Sequence, residues 1–127
     1  MRIVDSGWDA QKPLYEVKAN LFKGLSHPVR VRVLELLCAQ QEMSVSELLA
    51  DTGLEASHLS QHLSVLRRHH LVVAERRGSL VFYRIAFPQV ADFLRVAREL
   101  LTEVLRQNQQ QLMSSVELTD APAAHSQ

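Results

Sequence analysis

A single cysteine, Cys38, excludes an intrachain disulfide and fits a reducing compartment. The chain has no net charge, with 14 Lys and Arg against 14 Asp and Glu, so total charge does not announce a nucleic-acid binder. No apolar run approaches the roughly 18 residues that a membrane span needs. The opening residues, Met1-Arg2-Ile3-Val4-Asp5-Ser6-Gly7, lack the apolar stretch of a signal peptide, and the expected location is cytoplasmic. There are no internal repeats. A glycine-rich phosphate loop, a Ser/His/Asp ordering and a pair of acids at a usable site are all missing, which argues against an enzyme and calls for no cofactor.

What is present is a chain of 127 residues, 46% hydrophobic and 22% charged, enough for one globular domain with a core but not for a second folding unit. Its charges are unevenly spread. Between Ala56 and Ala86 stand Arg67, Arg68, Arg76, Arg77 and Arg84 against the lone acid Glu75. The acids gather elsewhere, at Asp5, Asp9, Asp92, Glu99, Glu103, Glu117 and Asp120. A local basic surface of this kind is what phosphate contact requires.

Residues 1–12 are polar and aperiodic and are expected to form a flexible arm; a folded domain is expected over 13–112 and a disordered tail over 113–127. Leu14, Val17, Leu21, Phe22 and Leu25 recur at helical spacing. Gly24 and Ser26-His27-Pro28 end that helix, and Pro28 suits the first turn of the next, which Val29, Val33, Leu34, Leu36 and Leu37 carry to about Ala39. Ser44-Val45-Ser46-Glu47 is a capping-box pattern opening a short third helix that Thr52-Gly53 breaks. A fourth helix from about Ala56 to His70 has Leu59, Leu63 and Leu66 on one face and Ser57, His58, Ser60, Gln61 and Ser64 on the other. A short helix, a tight glycine turn and a second helix with a polar outer face make a helix-turn-helix. The period then changes. Leu71 to Glu75 and Leu80 to Ile85 are rich in strand formers, with Arg76-Arg77-Gly78-Ser79 as the turn between them, and a hairpin placed there is a wing. Pro88 opens a last helix of about 24 residues, roughly 36 Å at 1.5 Å per residue. Its apolar stripe is longer than so small a domain can cover. The predicted fold is mainly α with a small β-hairpin, a winged helix-turn-helix in the order ααααββα, dimeric.

The stretches Leu25-Ser26-His27-Pro28-Val29-Arg30-Val31-Arg32-Val33-Leu34, His58-Leu59-Ser60-Gln61-His62-Leu63-Ser64-Val65-Leu66-Arg67 and Leu71-Val72 through Gly78 to Tyr83-Arg84-Ile85 resemble the ArsR/SmtB family of winged-helix repressors. The likeness covers residues 14 to 106, with its motifs in a fixed order. It implies a homodimer built from the first and last helices, with the fourth helix in the major groove of a double-stranded, palindromic DNA operator. By match to the family's contact positions, Ser57, His58, Ser60 and Gln61 face DNA, and Arg76, Arg77 and Ser79 at the wing tip touch backbone or minor groove; Arg67 lies further back. The same resemblance assigns Leu14, Val17, Leu21, Val90, Phe93, Leu94, Ala97, Leu100, Leu101 and Val104 to the dimer interface. Physical chemistry supports the DNA face, because Ser, His and Gln early in a helix reach phosphates and base edges, and Gln can pair bidentately with adenine. A polar helix face is by default merely solvated; the hairpin and its basic tip turn that reading towards DNA.

His58 and His62 stand at i, i+4, a spacing that can hold a metal, but no acid or cysteine accompanies them, and His62 is read as packing within the motif. His69-His70 suits a helix C-terminus, and Cys38 a core position. The resemblance tempts one to expect a metal sensor, and the ligand positions argue against it. Where the thiolate sensors carry Cys-x-Cys this chain has Ser44 and Ser46, poor ligands for soft metals. Where other members bind zinc, cobalt or nickel it has Phe87, Gln89, Leu100 and Glu103, of which only the glutamate is a ligand. No metal site is therefore expected. The signal is left open among an effector molecule, a sensor protein partner, a redox change at Cys38, and a site using His27, His125 or the tails. A winged helix serving only as a protein-docking subunit is the alternative function, and it would more readily expose apolar side chains where the Ser/Gln face and the arginines stand.

Overall fold

The computed structural model describes residues 11–120, with side chains to residue 116. In chain order its elements are α1 (Leu14–Leu25), α2 (Pro28–Gln40), β1 (Met43–Ser44), α3 (Val45–Thr52), α4 (Ala56–Arg68), β2 (Val72–Arg77), β3 (Leu80–Ile85) and α5 (Pro88–Asp120). The chain divides into two compact units, Met1–Ala91 and Asp92–Gln127. The first contains the winged helix-turn-helix that the sequence predicts. The expected arm lies outside the described residues except for Gln11 and Lys12, as does the tail beyond Asp120 with His125.

Local chemistry sets the helix ends. Pro28 opens α2, and His27 Nδ1 accepts the Val29 N–H at 3.1 Å. Val33, Leu34, Leu36 and Leu37 then bury one broad face of α2 in the core, while Arg32, Glu35 and Ala39 leave the other face exposed. At α3 the capping box is complete: the Ser44 N–H donates to Glu47 Oε1 at 2.8 Å, and the Glu47 N–H to Ser44 Oγ at 3.1 Å. Gly53, at φ +71°, ends α3 in a left-handed conformation that costs glycine nothing. Leu59, Leu63 and Leu66 bury the inner face of α4 against this core. The helix ends in a Schellman pair, with the Leu71 N–H on Leu66 O and the His70 N–H on Arg67 O, both at 3.0 Å, and His70 at φ +61°. That turn sends the chain into the wing.

The sheet is antiparallel in the order β1-β3-β2, one strand more than expected. β1 is only two residues, Met43 and Ser44, paired with Tyr83 and Phe82. It is too short to show the alternation by which strands are read. The wing strands also run further than expected. Arg76 and Arg77 are strand residues paired with Val81 and Leu80, and the turn is Gly78-Ser79 alone, with Gly78 at φ +63°. Two-residue hairpins need a positive φ there, and glycine adopts it without strain.

Two further expectations are corrected. The last helix does not stop near Leu112: residues 113–120, expected in a disordered tail, continue it to Asp120. No glycine or proline follows Pro88 before Pro122, and Met113, Glu117 and Leu118 are good helix formers. Val90, expected at a subunit interface, is 8% exposed and belongs to the core of the first unit.

Candidate nucleic-acid interface

Along α4, Ser57, Gln61, Ser64 and Arg68 follow one another at helical spacing and form one exposed row, with Ser60 beside it. His58 and Arg67 flank the row, also exposed. Arg68 thus continues the expected contact row more directly than Arg67 does, a point that residue spacing alone carries. Glu55 at the N-cap makes no side-chain cap bond, so no side chain of that residue occupies the first N–H groups of α4.

His62 sits off this face. Its Nδ1 lies 3.3 Å from Arg30 Nη1, and its ring lies 4.2 Å from that of His27, tilted by 46°. Arg30 also donates from Nε to Gly24 O at 2.8 Å and from Nη2 to Lys23 O at 3.2 Å, so one side chain links the end of α1 to α4. Burial, followed by the nearby His27, Arg30 and His58, lowers the pKa of His62 and favours its neutral form. His69, at the end of α4, is lowered in the same way by burial and by Arg68, Arg30 and His70. Its ring occupies the space beside Gly24, where an added Cβ would stand 2.7 Å from His69 Cγ. These histidines serve the packing of the motif, as expected for His62.

The wing presents Arg76 and Ser79 openly. Arg67, Arg68 and Arg76 make no ion pair among the described residues. Of the other described arginines, Arg32 is paired with Asp51 at 3.3 Å, Arg95 with Glu99 at 3.2 Å and Arg106 with Glu103 at 2.6 Å, whereas Arg30, Arg84 and Arg98 make no ion pair among the described residues. Arg77 is the exception on the wing. It is held by Glu42 and Glu75 and stacks on Phe82. Glu42, which precedes Arg77 by 35 residues, has no sequence signal that would mark it as a partner.

Two of the positions weighed for metals are engaged elsewhere. Ser44 caps α3, and Glu103 is paired to Arg106. Among the described residues no three His, Cys, Asp or Glu side chains come together as a metal site would need. Cys38 is half-buried, and burial and then Glu35 push its thiol pKa up, away from the thiolate. No helix among the described residues is long and apolar enough to cross a membrane.

The apolar positions of the expected dimer interface are largely uncovered. On α1, Leu14 is exposed and Val17 and Leu21 are half-buried. On α5, Phe93, Ala97, Leu100, Leu101 and Val104 are exposed and Leu94 is half-buried.

Comparison with known proteins agrees with this architecture. The chain is 53% identical over 95 residues to the HTH-type transcriptional regulator Rv0081 of Mycobacterium tuberculosis, spanning 74% of this chain and 82% of that one. The crystal structure of Rv0081 superimposes with a TM-score of 0.71 at 50% identity, over 77% of this chain and 98% of that chain. A homodimeric winged helix-turn-helix DNA-binding domain from Mycobacterium bovis, solved in solution, matches with a TM-score of 0.65 at 32% identity, over 71% of this chain and 82% of that one. The biofilm growth-associated repressor of Xylella fastidiosa is 41% identical over 88 residues, 68% of this chain and 74% of that one. A model of the arsR family of bacterial regulatory proteins matches residues 27–73, the stretch from the cap of α2 into the wing. The chain belongs to the ArsR family of winged helix-turn-helix transcriptional regulators.

Proposed function

We propose that the protein is a repressor that binds a palindromic DNA operator as a homodimer, with α4 in the major groove and the wing along the backbone. The observation that carries this reading is the exposed polar row of α4, bordered by arginines that no carboxylate engages. Among the described residues Arg67, Arg68 and Arg76 have no carboxylate partner, and they stand exposed around the polar row Ser57, Gln61 and Ser64. Unpaired guanidinium groups flanking a polar helix suit phosphates on either side of a groove about 12 Å wide that admits a helix. Ser57, His58, Ser60 and Gln61 face the bases, Gln61 pairs bidentately with adenine, and Arg76 and Ser79 meet the backbone. The uncovered apolar positions of α1 and α5 meet a second copy, whose two-fold axis the operator mirrors. The signal that releases the operator is not a metal held at the family's ligand positions, since Ser44, Ser46, Phe87, Gln89 and Leu100 cannot supply them.

Nuclease footprinting with DNA upstream of the protein's own gene tests the reading. A two-fold symmetric protected segment, with half-sites about one helical turn apart, is expected. No protection by folded protein at micromolar concentration would favour the docking-subunit alternative.

A further inference from the structure

The two adjacent wing arginines are not equivalent, because the register of the hairpin separates them. Residues facing each other across an antiparallel pair share a face, and the faces alternate along each strand. Arg76 faces Val81 and so shares the face of Ala74 and of buried Tyr83. Arg77 lies on the opposite face with Glu75 and Phe82. There its guanidinium makes a two-point contact with the Glu42 carboxylate, in which Nη1 meets Oε2 and Nη2 donates to Oε1 at 2.9 Å. Nη2 also donates to Glu75 Oε1 at 3.0 Å, and the plane stacks 4.5 Å from the centre of the Phe82 ring. Hydrogen bonding to Arg77 lowers the pKa of both carboxylates, so both are ionised near neutral pH. Arg84 stands on the same face and its charge also acts on both carboxylates, so two guanidinium groups and two carboxylates balance to zero and the Arg77 charge is already compensated.

Glu42 also stands two residues before Ser44, the cap of α3 and the partner of Phe82 in the sheet. The contact therefore joins the wing hairpin to the entry of the helix-turn-helix. Resting on the DNA-binding reading above, we propose that Arg77 is a positioning residue: its clamp on Glu42 and Glu75 fixes the wing against the start of α3, and Arg76 makes the phosphate contact from the other face. Isolated surface pairs contribute little, but a two-point arginine contact within a cluster of charges and stacked on an aromatic ring is the geometry in which they count.

Two measurements on the full chain test this. In the free protein, Arg77→Gln and Glu42→Gln should each speed amide hydrogen exchange across residues 75–82 by about two- to fivefold, the range for a partly exposed pair, and leave α2 unchanged. Arg77→Lys should loosen the wing as much as Arg77→Gln, since an ammonium cannot make the forked contact. A wing that exchanges at the wild-type rate in all three variants overturns the clamp. The second measurement is the salt dependence of affinity for a random DNA duplex. Arg76→Gln should lower the slope of log affinity against log salt by about 0.9 per protomer, the value for one phosphate no longer neutralised, and Arg77→Gln should leave it at the wild-type value. A drop of that size in Arg77→Gln, restored in Arg77→Lys, would make Arg77 a phosphate contact and overturn the proposal. If the wild-type protein binds no DNA, the functional reading fails, and the exchange measurement still decides the clamp.

Discussion

At the scale of single residues, two kinds of side chain carry predictions that oppose ordinary expectation. In an isolated helix Gly→Ala stabilises by about 1 kcal/mol. At Gly24 the new Cβ would stand 2.7 Å from His69 Cγ, so the sign should reverse. Gly24→Ala should destabilise by about 1–3 kcal/mol, the range for overpacking, as read by chemical denaturation. The histidines set an acid limit. Because burial and neighbouring cations hold the His62 and His69 pKa values down, the unfolded chain binds more protons than the folded one as pH falls below about 6.5. Stability should be fully present above that pH and fall on acidification towards pH 5, before most carboxylates titrate. Thermal melts between pH 7.5 and 5 should show the decline, and His62→Gln should flatten it. An unchanged melting temperature across that range would contradict the packing assigned to these rings.

At the scale of elements, the capping box is the most direct test of how sequence sets structure. Ser44→Ala removes the side-chain acceptor for the Glu47 N–H and should destabilise by about 1 kcal/mol in the same denaturation assay. Elements with strong local rules were legible in the sequence. The first four helices announced themselves by apolar spacing and by His27-Pro28, Ser44 and Gly53 at their ends, and the Ser57 to Ser64 face followed from α4. What was hidden depends on distance along the chain. β1 is two residues that become a strand only because β3 passes beside them. The Arg77 clamp joins residues 35 apart, and nothing in either neighbourhood marks the pair. Arg76 and Arg77 looked alike until the register set them on opposite faces. Residues 113–120 were read by composition, and their lack of a helix breaker was the stronger signal.

At the scale of the whole molecule, the uncovered apolar side chains and the unpaired arginines divide the work. Leu100, Leu101 and Leu105 are each more than half exposed, an arrangement that suits a second subunit better than water. Leu100→Glu should shift sedimentation from dimer to monomer at micromolar concentration and weaken operator binding, while a wild-type monomer at that concentration would count against the assembly. A footprinted operator and an unrelated duplex of equal length then allow the central claim, that α4 reads bases, to be measured as a ratio of affinities. The wild-type protein should prefer its operator by a factor of about 1,000 or more. Gln61→Ala should reduce that preference by about 1–3 kcal/mol for each base pair that the side chain no longer reads, with affinity for the unrelated duplex nearly unchanged. Equal weakening of both duplexes by Gln61→Ala would contradict the account.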